Sequence, residues 1–180
     1  FIAGTMAVIG RAVGAKDHDT AQTTLITVLT LSVTIGIVIA AACIALRPWF
    51  AQNLAGTTGT EAAQEMAMIY MGVVFYGLPF NMIQVTGVTA LQADGDTRTP
   101  MWISGIQGVL NLWVSWTLLW GHGPLPELGI EGAAIGTFIS FAVGAFLVLF
   151  VLFRRQGCVK LTAKLKPSWK ALRPVARLSI

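Results

Sequence analysis

Long runs of uncharged, mostly apolar residues alternate along this chain with short polar stretches. A helix needs roughly 20 residues to cross about 30 Å of hydrocarbon at about 1.5 Å per residue. Four runs reach that length without a charge: residues 21–46 (26 residues), 66–93 (28), 99–121 (23) and 132–153 (22). Residues 1–10 read as the tail of a further span and 178–180 as the start of another, so both ends look cut. A membrane barrel would instead show segments of about ten residues alternating apolar and polar, and these runs are apolar all round. The expected fold is all-α and integral to a membrane. It is a polytopic helical bundle of four complete transmembrane helices, with the end of one at the N-terminus and the start of another at the C-terminus.

The punctuation between the runs agrees. Asp19 and Thr20 are placed to cap the second span, Thr58 to Glu61 fits a capping box, and Thr99-Pro100 puts proline at the first helical position. Pro79 lies inside the run 66–93, where it removes a backbone donor and should bend the helix.

Composition sharpens the class. Hydrophobic residues make up 55% and charged residues 11%, with a mean hydropathy of +0.72, far from the roughly 25% charged content of an ordinary soluble domain. Cys43 and Cys158 have no metal-site or disulfide-framework spacing and read as free thiols. The chain opens on Phe1-Ile-Ala-Gly with no basic region before an apolar stretch, so no signal peptide is recognisable at this end.

The basic residues set the topology. Walking the spans from side to side puts Arg11, Lys16, Arg98 and the eight that follow the last span (Arg154 to Arg177) on one face, 11 of 12. Only Arg47 lies opposite, beside Pro48-Trp49, where its stem can snorkel and the indole can anchor. The rule that basic loops stay inside makes loops 11–20, 94–99 and 154–177 cytoplasmic, in a multi-pass protein of the cell inner (plasma) membrane. The net charge of +4 is then a topology signal with some attraction to anionic membrane lipid, and nucleic-acid binding is not expected. The segment 154–177 has Pro167 and Pro174 bracketing an amphipathic stretch around Trp169 and Leu172, and reads as a basic linker lying at the interface.

No acidic or basic residue falls deep in any span. All eight carboxylates sit in loops or first helical turns; for Asp17, Asp19, Glu61 and Glu65 a helix-end role is the simplest reading. His18 and His122 are too far apart for a metal site, and no phosphate loop, nucleophile elbow or carboxylate pair is present, so the chain is not read as an enzyme. The polar residues left inside the membrane are neutral: Asn81, Gln84, Gln107, Asn111, Ser115, Thr117 and Thr137. Gln107, Asn111 and Ser115 recur every fourth position and share one helix face, which should turn inward, either to glue helices or to line a lumen. Gly105, Gly108, Gly132, Gly136 and Gly144 favour close helix packing.

Three stretches carry a family resemblance. Leu91-Gln-Ala-Asp-Gly-Asp-Thr-Arg-Thr-Pro-Met101, then residues 111–121 (Asn-Leu-Trp-Val-Ser-Trp-Thr-Leu-Leu-Trp-Gly), then residues 128–140 (Leu-Gly-Ile-Glu-Gly-Ala-Ala-Ile-Gly-Thr-Phe-Ile-Ser) resemble, in order and spacing, the multidrug and toxic compound extrusion (MATE) family. Gly10 to Lys16 and Tyr70 to Phe80 resemble its second-span turn and fourth span more loosely.

The resemblance implies part of a 12-helix, two-lobe transporter. Residues 1–153 would form the N-lobe from the end of span 2 to span 6, and 154–180 the inter-lobe linker with the start of span 7. It implies secondary active efflux by alternating access, Na⁺ or H⁺ exchanged for amphipathic, often cationic, small-molecule drugs, in a transporter that is monomeric when whole and needs no cofactor beyond the coupling ion. Carried onto this sequence, the family's first-lobe ion site falls on Asn111, with Tyr70 and Thr137 as polar helpers; Gln84 and Gln107 join them as candidate cation or substrate ligands. The family's aspartate four positions after the asparagine is Ser115 here, which removes the proton-binding carboxyl from this span. Two other readings stand beside it. A lipid-linked oligosaccharide flippase of the same superfamily would want basic residues lining its cavity, and a non-transporting scaffold would use the polar stripe only for packing.

Overall fold

The computed structural model describes residues 2–55, 61–121, 127–155 and 159. Six helices lie among them: α1 (Ile2–Gly14), α2 (His18–Ala45), α3 (Arg47–Ala55), α4 (Glu61–Ala93), α5 (Arg98–Trp120) and α6 (Gly129–Arg154). The all-helical expectation holds. Among the described residues three helices, α2, α4 and α6, are long and apolar enough to cross a membrane. The expectation of four complete spans is therefore met in part. The 23-residue α5 is helical over the expected run, but Ser104, Gln107, Asn111, Ser115, Thr117 and its tryptophan N–H groups make it more polar than its neighbours.

Boundaries move for local chemical reasons. The N-cap of α2 is Asp17, not Asp19 or Thr20; its carboxylate accepts from the Thr20 backbone N–H at 3.0 Å and from the Thr20 hydroxyl at 2.6 Å. These bonds hold the Asp17 carboxyl below its ordinary value. Both helices thus run into the expected loop 11–20, leaving a tight turn in which Lys16 takes φ 57°. Helix α3 was not expected. It begins at Arg47-Pro48, where a proline near the helix start loses no intrahelical bond, and Arg47 lies across Gly72 of α4. Residues 58–60 of the expected capping box, Cys158 and the stretch 160–177 lie outside the described residues, while Cys43 is a free thiol.

The centre of the bundle is α4, which packs on α6, α2, α1 and α3, while α5 packs on α6 and scarcely touches α4. Helix α4 runs unbroken through Pro79. Ile9, Leu25, Leu91, Val148, Leu152 and Val159 are buried in one cluster that joins α1, α2, α4 and α6 at a single end of the molecule. Between helices already in hydrocarbon, association depends on close packing more than on escape from water, so small residues at the crossings matter. Gly87 faces Val148, where a Cβ would collide, and a Cβ on Gly36 would lie 3.1 Å from the Pro79 Cα. The same logic fails at Gly105 and Gly108, which meet nothing within 4 Å. Gly105 lines a shallow apolar groove with Trp102 and Trp113 instead of meeting a neighbouring helix.

The basic end is built together. Arg155, at the C-cap of α6, bridges Asp94 and Asp96 in the α4–α5 turn, and Gly10 of α1 approaches the Ala93 carbonyl. Arg11, Lys16, Arg98, Arg154 and Arg155 therefore share one end of the bundle, and Arg47 lies toward the other.

Candidate functional site

Helix α5 carries the polar stripe, and its placement begins at the α4–α5 turn. Asp96 accepts from the backbone N–H groups of Arg98 at 3.1 Å and Thr99 at 3.0 Å and from the Thr99 hydroxyl at 2.6 Å, so it supplies the cap that Thr97 does not. Gly95 makes the turn at φ 83°.

From this anchored start α5 lies along α6, and glycines on α6 set the spacing. A Cβ on Gly136 would lie 2.9 Å from the Ser115 backbone nitrogen, and one on Gly132 would lie 2.6 Å from the Leu118 Cβ. Real side chains do not approach so closely, so α5 and α6 touch backbone to backbone at these levels. One turn toward the basic end, Asn111 Nδ2 donates to Thr137 Oγ1 at 3.5 Å, a long bond. The Thr137 hydroxyl is itself turned toward the Ala133 carbonyl at 3.1 Å, which leaves its lone pairs for Asn111. Ser140 similarly spends its hydroxyl on the Gly136 carbonyl at 2.7 Å. Asn111, Ser115 and Thr137 thus form one half-buried group of neutral oxygens at the α5–α6 crossing.

A second polar group lies between α5 and α4. Gln84 Nε2 donates to Gln107 Oε1, and both line a notch of about 240 Å³ with Asn81, Thr89 and Ser104. Gln84 is 7% exposed, and its Oε1 is buried with no partner. Tyr70 is not brought to either group. It stands exposed on α4, about 34 Å by helical rise from Ala93, whereas Asn111 is about 20 Å from Arg98 at the other side of the same turn.

The sequence pointed to the stripe and to Gln84 but not to their pairings. Three contacts were invisible in it: the Gln84–Gln107 bridge, the buried Thr86–Ser32 hydroxyl pair between α4 and α2 at 2.8 Å, and the Arg155 clasp on Asp94 and Asp96. The Asp96-Thr-Arg-Thr99 spacing, a helix-start signature, hinted only at the Asp96 cap of α5.

Known proteins resemble the chain along most of its length. The family model described as MatE matches residues 1–117. A probable multidrug resistance protein, YoeA of Bacillus subtilis, is 30% identical over 154 residues, which is 85% of this chain and 32% of the relative. A probable multidrug resistance protein, NorM of Thermotoga maritima, is 29% identical over 126 residues, 70% of this chain and 26% of the relative. An FAD transporter of Shewanella oneidensis is 28% identical over 180 residues, 97% of this chain and 39% of the relative. The inward-facing conformation of a multidrug resistance MATE family transporter superposes with a TM-score of 0.85 at 25% identity, covering 98% of this chain and 39% of that one. The outward-facing conformation gives a TM-score of 0.82, at 25% identity over 98% of this chain and 38% of that one. The chain spans between about a quarter and two fifths of the length of these relatives.

Proposed function

This chain belongs to the MATE family, a family of multi-pass membrane transporters and not of enzymes, and from that premise we propose that it is the first-lobe part of a cation-coupled exporter of amphipathic, often cationic, drugs. In this reading α1, α2, α4, α5 and α6 are spans 2 to 6, α5 crossing the membrane despite its polar stripe, and residues from 154 onward lead to the second lobe. The shared basic end of the bundle faces the cytoplasm of the inner membrane.

The observation that carries the proposal is the contact of Asn111 with Thr137 beside the Ser115–Gly136 crossing. Amide and hydroxyl oxygens gathered inside an otherwise apolar bundle are expensive unless they are used, and transporters place coupling-ion and cargo sites near the membrane midplane. With Ser115 in place of the family's aspartate, this group offers neutral oxygens suited to a monovalent cation or a hydrogen-bonding cargo, and the proton-binding carboxyl belongs elsewhere in the whole transporter. Rocking of one lobe against the other would expose the group to each side in turn.

The test is ethidium accumulation in cells expressing the transporter that contains this chain, under imposed Na⁺ or H⁺ gradients, beside an Asn111→Ala variant made at the same level. Accumulation should fall with the wild type under one gradient and recover in the variant. Unchanged accumulation under every gradient would remove drug export. The flippase reading would then still lack cationic side chains along the described spans to meet a pyrophosphate.

A further inference from the structure

The notch between α4 and α5 is distinct from the Asn111 group and has a different chemistry. Asn81, Gln84 and Thr89 face Ser104 and Gln107 across it, with Val85 and Val88 alongside. Gln84 lies nine residues before the end of α4 and Gln107 nine residues after the start of α5, so both sit about 14 Å from the turn and close to the middle of a 30 Å layer. Exposed Ser104 leaves the notch reachable from outside the bundle.

We propose that this notch is a subsite for an uncharged, hydrogen-bonding part of the transported molecule, a carboxamide or cyclic-imide edge that offers one N–H beside one carbonyl, and that the Gln84 amide reads it. The inference rests on the transport reading above.

Three observations converge on that chemistry. The lining is neutral, so an ionic head group would find no counter-charge there. At about 240 Å³ the notch takes a ring-sized group and is too large to be filled by a bare cation. Gln84 makes one bond, to Gln107, while its buried Oε1 has no donor, so the bridged arrangement leaves the amide half satisfied. Rotating the amide out of the bridge presents its oxygen and its NH₂ side by side to the notch. A glutamine amide in that attitude pairs with a neighbouring acceptor and donor at two points, as it does with the edge of adenine. Gly144 of α6 admits the amide where it stands: a Cβ there would lie 2.7 Å from Oε1 and 2.9 Å from Nε2.

The experiment uses two fluorescent imides that differ at one atom, 1,8-naphthalimide and its N-methyl derivative, titrated into the detergent-solubilised whole transporter with ethidium as a reference ligand. The N–H imide should bind at least about fivefold more tightly than the N-methyl one, the fold expected when a buried acceptor gains or lacks its donor. The ratio should fall to about one in Gln84→Met and persist in Gln107→Met, where Gln84 has lost only its bridge partner. Equal affinities in the wild type, or no binding of either imide where ethidium binds, would overturn the subsite and leave the transport reading intact. This comparison needs no variant, so it decides the matter even where Gln84→Met does not fold. Loss of the ratio in Gln107→Met would overturn Gln84 as the reading group. Failure of ethidium to bind or to be exported would instead count against the transport reading itself.

Discussion

Arg155 Nη1 meets Asp96 Oδ2 at 2.6 Å across 59 positions of sequence, while its Nη2 meets Asp94 Oδ2 at 2.9 Å. One guanidinium therefore ties the end of α6, where the chain leaves for its basic linker, to the turn that starts α5. The Asp96 carboxyl is lowered from 3.8 to about 2, first by the Thr99 hydroxyl and backbone N–H and then by Arg155. Because its folded pKa is depressed, this stabilisation is fully present above about pH 4 and is lost as pH falls toward 2.

The first prediction follows from that clasp. Asp96→Ala removes a helix cap and an ion pair together and should cost roughly 1–3 kcal/mol at pH 7, read as a lower melting temperature of the detergent-solubilised transporter. The difference between wild type and variant should shrink as the pH is taken from 5 to 2. An unchanged difference across that range would mean that Asp96 is not the titrating group.

Much of the fold was legible because the bilayer imposes it. Uncharged runs of sufficient length located α2, α4, α5 and α6 within a few residues, and the side-to-side walk put Arg11, Lys16, Arg98, Arg154 and Arg155 at the end they share among the described residues. Local caps were less legible: Asp17, Asp19 and Thr20 are all plausible starts for α2, and only the bond geometry selects Asp17. The polar stripe could be read from spacing, but its partners could not. Gln84 with Gln107, Asn111 with Thr137 and Arg155 with Asp96 join positions 23 to 59 apart, distances over which periodicity carries no information. The glycines show the limit most clearly, since Gly136 and Gly105 look alike in sequence, yet one holds two helices together and the other faces open space.

That contrast gives the second prediction. Gly136→Ala drives a Cβ into the Ser115 backbone and should force α5 and α6 apart at a cost of about 1–3 kcal/mol. Gly105→Ala and Gly108→Ala meet no neighbour and should be neutral or slightly stabilising through helix propensity. Thermal unfolding of the three variants measures the difference. Equal effects would show that another part of the transporter covers the outer face of α5.

The third prediction separates the two halves of the Asn111 contact. Thr137 already spends its hydrogen on Ala133, so Thr137→Val removes one acceptor and should slow ethidium export only severalfold. Asn111→Ala removes the amide itself and should slow it tenfold or more, with both proteins present at wild-type level. Export assays in matched vesicles would show the order, and a larger loss in Thr137→Val would move the essential group from α5 to α6.

The last prediction concerns the buried Thr86 hydroxyl, which donates to Ser32 Oγ at 2.8 Å and joins α4 to α2. Both residues are almost fully enclosed, Ser32 at 2% and Thr86 at 6% exposure, so a hydroxyl that loses its partner there gains no water in exchange. Thr86→Val keeps the shape and removes the donor to Ser32; Ser32→Ala removes the acceptor for Thr86. Each single change should cost about 1 kcal/mol, in line with hydrogen bonds between membrane helices, which average about 0.6 and reach about 1.7 kcal/mol. The double variant leaves nothing unsatisfied and should cost less than the sum of the singles, with a coupling of roughly 0.5–1.5 kcal/mol in a double-mutant cycle read by thermal or denaturant unfolding. Strict additivity would mean that the two hydroxyls do not act as a pair, and that α2 is held to α4 by the Gly36–Pro79 approach and apolar packing alone.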